Sequence, residues 1–301
     1  MKLATYRDGS RDGQLLVVSR DLSLAHYATG IAHRLQQVLD DWNFVSPALQ
    51  DLYETLNQGK ARHAFEWDPR QCLAPLPRAY HCAAAPALES GVAPVPVPAA
   101  APAPAAATLT TRPGDPLAGA WRRWPADGLW TALEAGLAAV VSDVPQGLAA
   151  DRAIDSVRLL MLQAGLVPQA VSWEGGCAVP GAQFSPLAVT PDELGTAWRG
   201  GRADLNLVCS LNGRRFAAWN VGDAMPIPLG DLIAQWCART ALGAGALLCA
   251  APVRHGLPLS PPGRSGAPAG LRAGDVLTAD LQGPDGHSLF GPIGCELVPT
   301  D

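Results

Sequence analysis

Residues 92–108 read VAPVPVPAAAPAPAAAT, a stretch with no charged residue and prolines at Pro94, Pro96, Pro98, Pro102 and Pro104. Each proline removes a backbone donor, so no central strand or regular helix can run through it. Alanine and valine bury little surface, and an extended polyproline-type conformation is expected. The chain must therefore fold on either side of this segment. We expect an N-terminal unit over residues 1–80, an Ala/Pro-rich linker over 81–114, and a second unit over 115–301. A proline-reading partner is the functional alternative for the run, but no flanking charge gives it a direction.

The remainder has the material for a core. Of the 301 residues 48% are hydrophobic and only 16% charged, which argues against wholesale disorder. A formal net charge of −5 provides no basic field, so nucleic acid is not expected as a partner. No apolar run reaches the ~20 residues of a membrane span, and the opening MKLATYRDG lacks a secretory signal. A cytoplasmic protein is expected.

The first unit reads as α+β. Residues 1–7 and 14–19 are strand candidates around the turn cluster Asp8-Gly9-Ser10-Arg11-Asp12-Gly13. Ile31, Leu35, Val38, Leu39 and Trp42 form a helical stripe. A second helix is expected with Ser46 as N-cap, Pro47 at its first position and Gly59 after its end, burying Leu49, Leu52, Tyr53 and Leu56.

In the second unit, residues 151–166 place Ile154, Val157, Leu160 and Met161 on one side of an expected helix. Thr190-Pro191-Asp192-Glu193 is read as a capping box, its helix closed by Gly200 and Gly201. Asn212-Gly213 between residues 205–211 and 214–221 is the best short hairpin signal. Another amphipathic helix covers 229–240, and strands are expected at 275–281 and 288–298 around the turn Pro284-Asp285-Gly286. The fold class is α+β, a small mixed unit followed by a strand-rich one.

Candidate chemistry is sparse. The seven cysteines include no C-x-x-C pair, and the six histidines are dispersed, so zinc and dithiol chemistry lack their ligand spacing.

Several stretches resemble bacterial members of the fumarylacetoacetate hydrolase family. They are MKLATYRDGSRDGQLLVVSRDL, the segment 40–80 ending in CLAPLPRAY, AIDSVRLLML, FSPLAVTPDELGTAWR, LNGRR, PLGDLIAQWC and DGHSLFGPIG. The resemblance implies a small N-terminal domain, a C-terminal domain of several β-layers wrapped as a roll, and a homodimer formed through that second domain. It also implies cleavage of a carbon–carbon bond in acylpyruvates or other 1,3-diketo acids, or decarboxylation or tautomerisation of related acids. A divalent ion such as Mg2+ holds the keto acid, bound by an Asp, a Glu-x-Glu pair and a later Asp, with a histidine base and a lysine.

Carried over position by position, this set is largely gone. The first Asp falls on Ala84 and the histidine near Gly91. The Glu-x-Glu pair falls on Glu134-Ala135-Gly136, and the second Asp on Gly165. The lysine falls on Val179, and a glycine-serine-glycine-threonine loop on Cys249-Ala250-Ala251-Pro252. Only Glu134 survives as a metal-ligand position, and we expect it to be vestigial. One carboxylate holds Mg2+ weakly against the ion's own hydration, so no metal cofactor is expected.

The resulting expectation is a pseudoenzyme that keeps the fold and the dimer surface as a scaffold or as a partner subunit, in a homodimer or in a heteromer with an active paralogue. The alternatives are a hydrolase or decarboxylase with a rearranged site, drawing on Glu134, His81, His255, Asp223 and Cys177, or a small-ligand binding module. Glu89, Asp115 and Asp127 are available as replacement carboxylates within residues 81–133.

Overall fold

A computed structural model describes residues 1–90, 109–112, 114, 116–126, 130–168, 182–258 and 270–300. The Ala/Pro run, Val179, Cys177, Asp115 and Asp127 lie outside the described residues.

The N-terminal part contributes β1 (Lys2–Tyr6), β2 (Gln14–Val18), β3 (Leu24–Tyr27), α1 (Leu35–Asp40), α2 (Trp42–Asn57) and β4 (Phe65–Glu66). Next come β5 (Cys82–Ala84), β6 (Leu88–Ser90) and β7 (Thr110–Arg112), which flank the Ala/Pro run, then β8 (Trp121–Pro125) and β9 (Trp130–Val141). A single turn α3 (Ala150–Ala153) leads to β10 (Val157–Pro168), β11 (Gln183–Phe184) and β12 (Leu187–Val189). The rest is β13 (Trp198–Arg199), β14 (Arg202–Ala203), β15 (Asn206–Leu211), β16 (Arg214–Asn220), α4 (Leu229–Cys237), β17 (Ala246–Gly256), β18 (Val276–Gln282) and β19 (Ile293–Val298).

Both halves share one large sheet, ordered β4-β3-β2-β1-β12-β10-β9-β17-β5-β7, and β1 pairs antiparallel with β12. A second sheet runs β16-β15-β18-β19-β8. The large sheet is buried on both faces. Along β9, Leu133, Ala135, Leu137, Ala139 and Val141 join one core cluster with the second sheet, while Ala138 and Val140 join another under α1 and α2. Such strands read as continuous apolar runs rather than alternating ones.

That burial explains the main departure from expectation. Residues 151–166 are not one helix: after α3 and a 3₁₀ turn at Ile154–Ser156 the chain enters β10. Leu159, Leu160, Met161 and Leu162 are all fully buried, so an apolar run facing two cores gives the same stripe as a buried helix.

The capping-box reading of Thr190 also fails. Its hydroxyl accepts from the Met1 amine at 2.5 Å and donates to the Met1 carbonyl, so it caps nothing. Pro191–Ala197 is a 3₁₀ segment broken at Gly195, whose φ is +53°, and the hairpin β13–β14 follows it. Helix α2 begins at Trp42, four residues before Ser46, because the amides of Phe44 and Val45 both donate to the Asp41 carbonyl. Pro47 then sits inside the helix. Asn212 and Gly213 take φ of +50° and +75° and close the β15–β16 hairpin as expected.

Candidate active-site face

Most of the positions onto which the resemblance carries a site meet on one face of the large sheet. Strand order there is β10, β9, β17, β5. Gly165 on β10 pairs with Glu134 on β9, and Gln163 pairs with Gly136. Side chains two apart share a face, so Glu134, Gly136, Gln163 and Gly165 point the same way as Ala138 and Met161, toward the N-terminal helices. Beyond β17, Ala84 pairs in parallel with Cys249 and packs into the same cluster.

Glu134 is a buried carboxylate on this face. Its residue is 4% exposed, and its Oε2 accepts from Nη2 of Arg254 at 2.9 Å. Arg254 lies directly opposite on β17 and keeps about a third of its side chain exposed (34%). Sequence reasoning missed Arg254, since nothing in Pro252-Val253-Arg254-His255 signals a partner 120 positions away. Beside the pair, the Oε1 of Gln163 is buried with no hydrogen-bond partner among the described residues.

The residues proposed for a rearranged site do not gather here. His255 is on the opposite face of β17, where its ring stacks parallel to Trp219 at 6.4 Å and edge-on to Phe216 at 5.8 Å. One of its ring nitrogens, Nδ1, contacts the Gly256 carbonyl at 2.8 Å. His81 is exposed ahead of β5, and Asp223 is exposed in the turn after β16. Glu89 falls opposite Arg254 in the β6–β17 register.

A separate cleft of about 1210 Å³ lies between β1, the end of α2 and the 284–289 turn. Its charged side chains are already engaged. Lys2 donates to the Leu289 carbonyl at 3.1 Å, Asp21 accepts from Ser19 and Ser23, and Glu193 accepts from Tyr53. Burial lowers the Lys2 ammonium from its ordinary pKa, against the opposing charge of Glu193.

Comparison with known proteins accords with the sheet topology. Residues 1–78 match the family described as fumarylacetoacetase N-terminal domain 2. Over its whole length the chain is similar to maleylpyruvate hydrolase from Sphingobium sp. SYK-6, solved with manganese(II) and pyruvate, at 17% identity and a TM-score of 0.68, with 100% of each chain covered. It is similar to fumarylacetoacetate hydrolase from Exiguobacterium antarcticum (15% identity, TM-score 0.65) and to a probable 2-hydroxyhepta-2,4-diene-1,7-dioate isomerase from Mycobacterium abscessus (16%, 0.64), again over 100% of each chain. No curated protein matches the sequence. These likenesses define the fold. Residues 1–78 carry a fumarylacetoacetase-type N-terminal domain, and the whole chain shares the fold of these neighbours.

The donor set described on this face does not fit a divalent cation such as the manganese(II) in the Sphingobium structure. A hard cation takes about six oxygen ligands. Among the described side chains one carboxylate is offered, and a guanidinium is already on it. Ala84, Gly136 and Gly165 bring no side-chain oxygen, and no group of three or more His, Cys, Asp or Glu converges among the described residues.

Proposed function

We propose that this fumarylacetoacetate hydrolase family protein has lost metal-dependent carbon–carbon hydrolase activity and acts as a cytoplasmic scaffold or partner subunit, as a homodimer or with an active paralogue. One observation carries the reading: Glu134, the retained ligand position, is spent on Arg254 rather than left open to a cation. Ala84, Gly136 and Gly165, the neighbouring positions, have side chains that neither bind a cation nor move a proton. Without a Lewis acid, the developing enolate has nothing to stabilise it, and that term is worth several kcal/mol of barrier.

The test is isothermal titration of Mg2+ and Mn2+ into the purified chain, followed by an acylpyruvate hydrolysis assay with each ion. Neither binding nor turnover is expected. Tight one-site binding accompanied by turnover would overturn the reading.

A further inference from the structure

Glu134 and Arg254 are brought together by an irregularity in β17. Up to Ala250 the register with β9 is regular, Leu247 facing Val140 and Ala250 facing Leu137. After the irregularity Val253 faces Ala135, so β17 advances three residues while β9 advances two. That is a β-bulge of one extra residue, and a one-residue slip moves every later side chain to the other face. Continued without it, the register would set Val253 opposite Glu134 and turn Arg254 away. The irregularity falls at Ala251-Pro252, a place where sheets tolerate a proline, which has no N–H for the ladder.

We infer that Arg254 is the resident cation of this face: the Pro252 bulge delivers its guanidinium to Glu134 in the role that a divalent ion would otherwise have. The inference deepens the proposed loss of metal-dependent activity and rests on that reading. A guanidinium is permanently charged, weakly hydrated and shaped to meet a carboxylate. Mg2+ must give up tightly held water for each ligand it takes, and a single carboxylate repays little of that. Arg254 is also tethered on the neighbouring strand, so it meets Glu134 without the entropy loss of a free ion. Glu134 is therefore half of an ion pair joining β9 to β17, and its retention needs no remnant of catalysis.

Thermal unfolding of the full chain tests this, using Mn2+ and EDTA as probes. The wild-type Tm is expected to be indifferent to both. Arg254→Ala takes the guanidinium off a buried carboxylate and should lower Tm by about 6–10 °C. Adding Glu134→Gln to that variant should recover most of the loss. If Arg254→Ala does not fold, Arg254→Lys, which keeps the charge, should stay within about 3 °C of wild type. A wild-type Tm raised by Mn2+, or no recovery on adding Glu134→Gln, overturns the inference. So does an Arg254→Lys variant as unstable as the alanine one. The two proposals fail separately: turnover with a wild-type Tm unmoved by Mn2+ sinks only the loss of activity, and a Mn2+-shifted Tm without turnover sinks only the role of Arg254.

Discussion

Replacing Gln183 by leucine is expected to lower the unfolding free energy by about 3 kcal/mol, although no cavity is made. Gln183 is fully buried on β11 and knits the second sheet to the first. Its amide donates to the carbonyls of Gly119, Ala120 and Gly294 at 3.3, 3.0 and 3.2 Å. Its carbonyl oxygen accepts from Trp124 Nε1 at 3.1 Å and from the Cys295 thiol at 2.8 Å. Burial pushes the Cys295 pKa up to about 12, so the thiol keeps its proton and remains a donor. Leucine fills a similar volume but removes every partner, leaving a buried indole N–H unsatisfied, and each orphaned group costs about 1–3 kcal/mol. Urea denaturation measures the difference. A loss below about 1 kcal/mol would mean that these groups find other partners, and the network would not be what joins the sheets.

Tyr53→Ala is expected to cost about 3–5 kcal/mol, because the ring, on the buried face of α2, is fully buried and its hydroxyl donates to Glu193 at 2.8 Å. That bond ties the N-terminal helix to the Pro191–Ala197 segment 140 residues later. Tyr53→Phe separates the two contributions. It keeps the ring and loses a hydrogen bond to a buried carboxylate, worth about 1.5–3 kcal/mol. The phenol also sets a pH dependence. Burial, helped by the charge of Glu193, raises the Tyr53 pKa above its ordinary 10.0. Above pH 10 the unfolded chain then loses this proton before the folded one does. Stability falls with rising pH in that window and is unaffected by this group below it. Wild type should therefore lose stability above pH 10 more steeply than Tyr53→Phe in parallel urea titrations. Equal slopes would place the phenol in contact with solvent.

What could be read from the chain was local. The Asn212-Gly213 hairpin needs positive φ at two adjacent residues, and those two residue types supply it at little cost. The strands at 2–6 and 14–18 and the helix at 229–237 follow from short-range pattern in the same way. The motifs that resemble the family are also contiguous strings, and the N-terminal domain match and the shared fold agree with them.

The misreadings have one cause. In β10 the hydrophobic pattern is uninformative because both faces are covered, and only the second sheet and the N-terminal helices reveal that. Thr190 looked like a helix cap until the chain's first residue, 189 positions away, took its hydroxyl. The site divides along the same line. The resemblance read from the sequence led us to expect Glu134 as a surviving carboxylate and Ala84, Gly136 and Gly165 as positions without one. Only the tertiary structure decided what Glu134 does, because its partner is chosen by strand register. Register between distant strands depends on the bulge at Pro252 and on which face each core covers, quantities that no window of neighbouring residues contains.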